Sequence, residues 1–291
     1  MKHTMALVDH DPWQALRRFT DARIALGRAG DSLPTDALLA FDIAHARARD
    51  AVHAKLSVAP LTRTLRRAGH ATLRVHSAAR DRTTYLRRPD LGRRLDEASR
   101  TRLTTARPDN PCDVVFVVAD GLSAIAAQAH APRLLEALAP LLAADTVQWS
   151  LGPVVVALQS RVALGDEIGA LLAARQVAVL IGERPGLSAP DSLGVYLTWA
   201  PQVGRTDAQR NCISNIRPQG LGYAAAAHRL AWLLAAARRR ELTGVALKDD
   251  SDTTFLLAGE LGGQFDGEPG GGLARDNPRL SSATNRARPS G

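Results

Sequence analysis

The sequence predicts an α/β fold, a doubly wound parallel sheet preceded by an N-terminal helical region, and three observations carry that expectation. The run Val114-Val115-Phe116-Val117-Val118 is unbroken, β-branched and aromatic, too short to span a membrane and suited to a central parallel strand. Further short apolar runs follow at 154–156, 177–181 and 195–197, with helical segments between them. The first hundred residues lack such runs and space their apolar residues as helices do.

Taken in order, Asp11-Pro12 starts a helix, an acidic cap followed by proline in the first turn, with Trp13, Leu16, Phe19 and Ile24 at helical spacing until Gly27 and Gly30 interrupt it. After Pro34, the residues Leu38, Phe41, Ala48, Val52 and Leu56 form one apolar stripe on a helix over 35–56, and both helices need a partner surface. The strand at 114–118 leads through Asp120-Gly121-Leu122-Ser123 into a helix carrying Leu134, Leu135, Leu138 and Leu141. A strand at 154–156 precedes a helix at 166–174, in whose first turn the macrodipole favours Asp166 and Glu167. The strand at 177–181 ends at Gly182-Glu183-Arg184-Pro185-Gly186, Val195-Tyr196-Leu197 is a further strand, and 224–240 is an alanine-rich helix.

In such sheets ligands bind beyond the carboxyl ends of the strands. The loops at 120–123 and 182–188 are therefore the candidates, each with glycine that lets backbone approach a ligand. The chain divides into a basic helical region over 1–107, a sheet domain over 108–248 and a tail over 249–291. Glycine and proline recur through that tail, which predicts no packed structure there.

Composition narrows the function. With 45% hydrophobic and 23% charged residues, 291 residues form a sizeable core without staples. Cys112 and Cys212 stand a hundred residues apart, so neither a disulfide framework nor a cysteine zinc site is expected, and a cytoplasmic location is. No stretch of eighteen apolar residues and no signal-peptide core occurs, so no membrane partner is expected. Net charge is +8, and residues 1–107 hold 21 of the 37 Lys and Arg against 11 of the 29 Asp and Glu. That surplus raises a second reading, a basic nucleic-acid-binding α/β protein, which no helix-turn-helix, zinc-finger or RNA-recognition signature supports.

The eight histidines form no ligand cluster with carboxylates, so no metal site is expected. The stretch 165–169 lacks both Gly-x-Gly-x-x-Gly and a Gly-Lys-Ser/Thr ending, which disfavours a stand-alone nucleotide-binding protein and leaves a helix start. Three segments, 161–169, 182–187 and 210–216, set polar groups at the ends of apolar runs; turns whose side chains cap backbone are their plainest reading.

The same segments carry a resemblance. Arg161-Val162, Asp166-Glu167-Ile168-Gly169, Gly182-Glu183-Arg184-Pro185-Gly186-Leu187, Asp191-Ser192-Leu193 and Asn211-Cys212-Ile213-Ser214-Asn215-Ile216 resemble, in order and spacing, the small subunit of ethanolamine ammonia-lyase. Gly27-Arg28-Ala29-Gly30, the block 85–95 and Asp120-Gly121-Leu122-Ser123 agree, and the likeness covers about 10–247. It implies a Rossmann-like cobalamin-binding domain in a hetero-oligomer with a large subunit that carries the substrate pocket. It also implies adenosylcobalamin as cofactor and conversion of ethanolamine to acetaldehyde and ammonia by a radical mechanism. Cofactor contacts carry over to Val162, Glu183 and Cys212, with no catalytic residue in this chain. A backbone amide or carbonyl near Val162 and a carboxylate at Glu183 suit the amide-fringed corrin. Cys212 either donates weakly or packs as a small apolar group. No Asp-x-His-x-x-Gly stretch is present, so the cofactor's own base is expected to remain on cobalt. Relatives that enter bacterial microcompartments carry a longer amphipathic N-terminus, so a free cytoplasmic complex is expected here.

Overall fold

The computed structural model describes residues 8–251; the expectation of an unpacked tail lies, from residue 252 on, outside them. Seven α-helices and six strands are described: α1 (Thr35–His53), α2 (Val58–Arg67), β1 (Thr72–His76), α3 (Arg82–Arg87), α4 (Glu97–Thr105), β2 (Cys112–Ala119), α5 (Ala124–Ala143), β3 (Val154–Leu158), α6 (Leu164–Leu171), β4 (Ala174–Gly182), β5 (Leu193–Trp199), β6 (Arg210–Ile216) and α7 (Tyr223–Arg240). They form one sheet in the order β1-β3-β2-β4-β5-β6.

Alternation along β2 decides which core each side chain enters. Val114, Phe116 and Val118 face α2, α5 and α7, together with Leu134, Leu138, Leu230 and Leu234. Val115 and Val117 face the opposite way, against Leu103 of α4 and Leu164 and Ile168 of α6. Helices thus cover both faces, and every residue of β2 is buried, which is why 114–119 is apolar without interruption.

Two expectations need correction. The sheet is mixed rather than parallel: β1, β3, β2 and β4 are parallel, but β5 pairs antiparallel with both β4 and β6. A short connection, Glu183 to Ser192, joins β4 to β5, and an antiparallel return needs no crossover helix. Nor is 1–107 purely helical, because β1 pairs with β3 at the sheet edge. Its Leu73 and Val75 alternate with Arg74, a period of two that the neighbouring arginines and histidines obscure.

The N-terminal helices also pack differently from their apolar spacing. The Pro12–Phe19 segment is a 3₁₀ helix capped by the Asp11 carboxylate, which accepts from Trp13 N–H at 2.8 Å, and it ends before Ile24. It buries nothing; Trp13 and Phe19 are 66% and 73% exposed. On α1, which ends at His53, the buried stripe is Ala44, Ala48 and Ala51, while Leu38, Leu39, Phe41 and Ile43 stay exposed. Small side chains sit against the body of the fold, and large ones form an uncovered apolar face.

Candidate functional site

Five strands, β1, β3, β2, β4 and β6, run in one direction; only β5 is reversed. Their carboxyl ends therefore share one rim, where the loops after β2, β3 and β4 meet. Leu122 N–H donates to the Gly182 carbonyl at 2.9 Å, and Ser123 Oγ donates to Pro190 O at 3.0 Å. Gly121 holds a left-handed φ of 55°, and a Cβ there would strike the Gly182 carbonyl, so only glycine allows the two loops to touch.

Beneath the rim, Asp120 accepts from the N–H groups of Gln159 and Ser160 at 2.8 and 3.0 Å, tying β2 to the loop after β3. Burial raises its pKa above the ordinary carboxylate value, partly offset by those amides and by Arg82. Arg82 in turn donates to Gly121 O at 2.8 Å and Val52 O at 2.7 Å. Burial holds the Arg82 guanidinium below its usual value, with Asp120 opposing the shift.

Tyr85 is fully buried beside two guanidinium groups, with Arg82 Cζ 4.7 Å and Arg161 Cζ 4.2 Å from its ring centroid. Its hydroxyl donates to Ser160 O at 3.2 Å, and burial pushes its pKa up to about 12. The block 85–95, noticed in the sequence only as part of a resemblance, thus builds the wall behind the rim. Gly92 is required there, since a Cβ would come within 2.9 Å of Arg161 Cγ.

A cleft of about 470 Å³ opens at the rim, lined by Gly121, Val162, Gly182, Glu183 and Tyr196 among others. Val162 and Glu183 are therefore brought together as anticipated. The N–H groups of Val162 and Ala163 have no hydrogen-bond partner among the described residues, while Leu164 N–H and Gly165 N–H turn back onto Arg161 O and Val162 O. Glu183 accepts from Ser214 Oγ at 2.5 Å and Asn215 N–H at 3.1 Å, which locks its carboxylate across the end of β6. Gly194 makes room for it: a Cβ there would lie 2.9 Å from Glu183 Oε1.

Cys212 does not line this cleft. It pairs with Tyr196 across β5 and β6 on the sheet face that carries Gly194 and Ser214, where Cys212 and Ser214 are exposed. Although the residue is exposed as a whole, desolvation of the thiol pushes its pKa up, Tyr196 opposes that shift, and the nearby Glu183 charge adds to it. The thiol is thus no ready nucleophile. Tyr196, which joins cleft to thiol, is likewise shifted upward by burial and then by Cys212. Sequence reasoning passed over it as a strand residue; its place in the alternation 194, 196, 198, opposite the core-facing 193, 195 and 197, was the available signal.

The segment 210–216, first read as turns, is strand β6, and its opening residue is structural. Arg210 donates to both oxygens of Asp166, at 2.6 and 2.7 Å, with both side chains almost wholly buried. Burial acts against the Arg210 charge, but the Asp166 hydrogen bonds outweigh it and raise the pKa. Glu167 is also paired, accepting from Arg100 Nε at 2.8 Å and Leu95 N–H at 2.9 Å. These acids at the start of α6 tie elements together, a larger role than favouring a dipole. His130 is buried, with Nδ1 2.8 Å from the Tyr223 hydroxyl.

Fold and rim together define an α/β protein with an open cleft at the carboxyl ends of its co-directional strands, beside which Cys212 and Ser214 of β6 are exposed. The chain belongs to the ethanolamine ammonia-lyase light chain family, whose model, "Ethanolamine ammonia-lyase light chain (EutC)", matches residues 10–248. It is 56% identical over 258 residues to the ethanolamine ammonia-lyase small subunit of Ralstonia nicotianae, covering 88% of this chain and 95% of that one. It is also similar to the small subunits of Xanthomonas campestris pv. campestris, at 57% over 84% of this chain and 90% of the relative, and Azotobacter vinelandii, at 58% over 84% and 91%.

Proposed function

We propose that this chain is the cofactor-covering small subunit of an adenosylcobalamin-dependent ethanolamine ammonia-lyase, which converts ethanolamine to acetaldehyde and ammonia, with a cytoplasmic large subunit completing the hetero-oligomer. The observation that carries the proposal is the juxtaposition of Val162 and Glu183 in one cleft with Tyr196, beside which Cys212 is exposed. The sheet at that rim is Rossmann-like in placing its loops beyond the carboxyl strand ends.

The chemistry of the donor set fits an edge of the cofactor. A corrin presents neutral amides around an apolar ring, and the rim offers two free backbone N–H groups, an anchored carboxylate and the apolar surfaces of Val162 and Tyr196. When bound, adenosylcobalamin supplies the radical chemistry. This chain's residues bind and orient: Glu183 accepts from amide N–H groups, the Val162 and Ala163 amides donate to amide oxygens, and the protonated thiol of Cys212 packs against the ring edge. A cleft open to one side leaves the rest of the cofactor to the large subunit.

The large subunit also has a surface to meet. Leu33, Leu38 and Phe41 share a groove of about 750 Å³ with Leu187 and Ala189, in the same loop that begins with Glu183. An interface covering the cofactor would continue onto this apolar groove. The test is equilibrium binding of the cofactor to the assembled complex. Tight binding that weakens in Glu183→Ala is expected; unchanged binding in that variant refutes the assignment.

A further inference from the structure

Beside the cleft lies a second trough of about 570 Å³, sharing Arg161 and Val162 with it and lined also by Ala163, Arg93, Arg94 and Arg205. Its charge is unbalanced. Of the two carboxylates in its wall, Asp90 pairs with Arg88 outside the trough at 2.7 Å and Asp207 faces Arg210, itself in the wall, at 3.4 Å. None of the four arginines has a carboxylate within ion-pair distance among the described residues. Arg205 donates only to a carbonyl, that of Ala200.

Arg161 is prepared rather than merely present. Its backbone N–H is held by Gly92 O at 2.8 Å, its stem lies against Gly92, and its guanidinium rests on the Tyr85 ring and donates to Tyr85 O. Its Nε is buried without a hydrogen-bond partner among the described residues, and the trough lining also holds the unpartnered N–H groups of Val162 and Ala163. A fixed guanidinium beside two successive free amides is a donor set for a tetrahedral oxyanion. A neutral amide needs no such excess of cations.

We propose that this trough seats the phosphodiester of the cofactor's nucleotide loop, the one permanent anion of a cobalamin, with Arg161 as the binding residue and Arg93, Arg94 and Arg205 supplying the surrounding positive field. The inference rests on the cofactor assignment above and deepens it, since an anion at Arg161 lies directly beside the cleft that would hold the corrin edge. It explains why the block 85–95 is built around Tyr85 and Gly92, the two residues that hold Arg161 in place.

The experiment compares two probes on the assembled complex by equilibrium dialysis: cyanocobalamin, which has the phosphodiester, and cyanocobinamide, which lacks the nucleotide loop. Arg161→Met is expected to weaken cyanocobalamin binding about tenfold, the scale of a charge-assisted hydrogen bond, and to leave cyanocobinamide unchanged. Arg161→Lys should recover most of the loss. Exposed Arg94→Gln, which disturbs no packing, should weaken cyanocobalamin alone by a few-fold, and salt should weaken cyanocobalamin more than cyanocobinamide. An equal loss for both probes in Arg161→Met, or a loss of subunit association in place of a probe-specific loss, overturns the proposal; the latter would mark the trough as a seat for an acidic segment of the large subunit. Failure of the unaltered complex to bind either probe overturns the cofactor assignment itself, an outcome distinct from both.

Discussion

Raising the pH through the tyrosine range should unfold this protein in a way traceable to Tyr85. The phenol is fully buried and its pKa stands at about 12, with burial as the main cause and the Arg161 guanidinium working against it. In the unfolded chain it returns to about 10. The folded state therefore favours the neutral form: the stabilisation is complete below pH 10 and is lost as pH rises toward 12, because the unfolded chain releases its proton first. Two units correspond to about 2.7 kcal/mol, or about 1.4 kcal/mol per pH unit inside the window. Tyr85→Phe cannot ionise; it gives up the hydrogen bond to Ser160 O, about 1 kcal/mol at neutral pH, but should lose stability less steeply with pH. Urea unfolding at pH 9 and pH 11 measures this, and the difference between the two proteins cancels the contribution of Tyr196, which is shifted in the same direction. Equal slopes for both proteins would refute the account of Tyr85 as a desolvated phenol.

Other perturbations test the remaining parts. Asp166→Ala strands the Arg210 charge in a nearly dry site and should cost about 3–5 kcal/mol in thermal or urea unfolding, whereas Asp166→Ala combined with Arg210→Met should recover much of that. Glu183→Ala releases Ser214 and Asn215 at the end of β6 and should raise the cofactor concentration for half-maximal activity about tenfold while circular dichroism stays unchanged. Cys212 should alkylate with iodoacetamide only above the ordinary thiol range, and Tyr196→Phe should move that profile higher still, because the hydrogen bond that stabilises the thiolate is gone; mass spectrometry across pH gives the rates. Phe41→Asp should leave the isolated chain's unfolding within about 0.5 kcal/mol of the parent, as its side chain is exposed, yet weaken association with the large subunit in sedimentation or pull-down assays.

What could be read from the sequence followed the strength of each local signal. β2, β4 and α7 declare themselves because burial on both faces, or an alanine-rich helix of eighteen residues, imposes composition along their whole length. β6 was hidden because Arg-Asn-Cys-Ile-Ser-Asn-Ile buries only Arg210, Ile213 and Ile216 and leaves Cys212 and Ser214 exposed, so its polar positions read as turn residues. The direction of β5 was equally hidden, since a strand's residues do not record whether its neighbour runs with or against it. The loop argument reached 182–188 and so Glu183, but Val162 was put forward by the resemblance alone; their meeting in one cleft depends on Gly121 packing against Gly182, which is a property of the fold.

Charge is where composition misleads most, and the reason lies in what the arginines do. The surplus before residue 108 suggested nucleic acid, but some of those arginines serve the fold: Arg82 donates to the carbonyls of Val52 and Gly121, and Arg100 pairs with Glu167. A guanidinium used in this way replaces a missing backbone partner and adds nothing to an outward field that would attract a polyanion. Arg93 and Arg94, with Arg161 and Arg205 from later in the chain, line one trough. A duplex or single strand spaces its phosphates over many ångströms and rewards a stripe of cations, whereas a trough of about 570 Å³ suits one compact anion. Four arginines gathered at one trough thus favour a small charged ligand held at the rim.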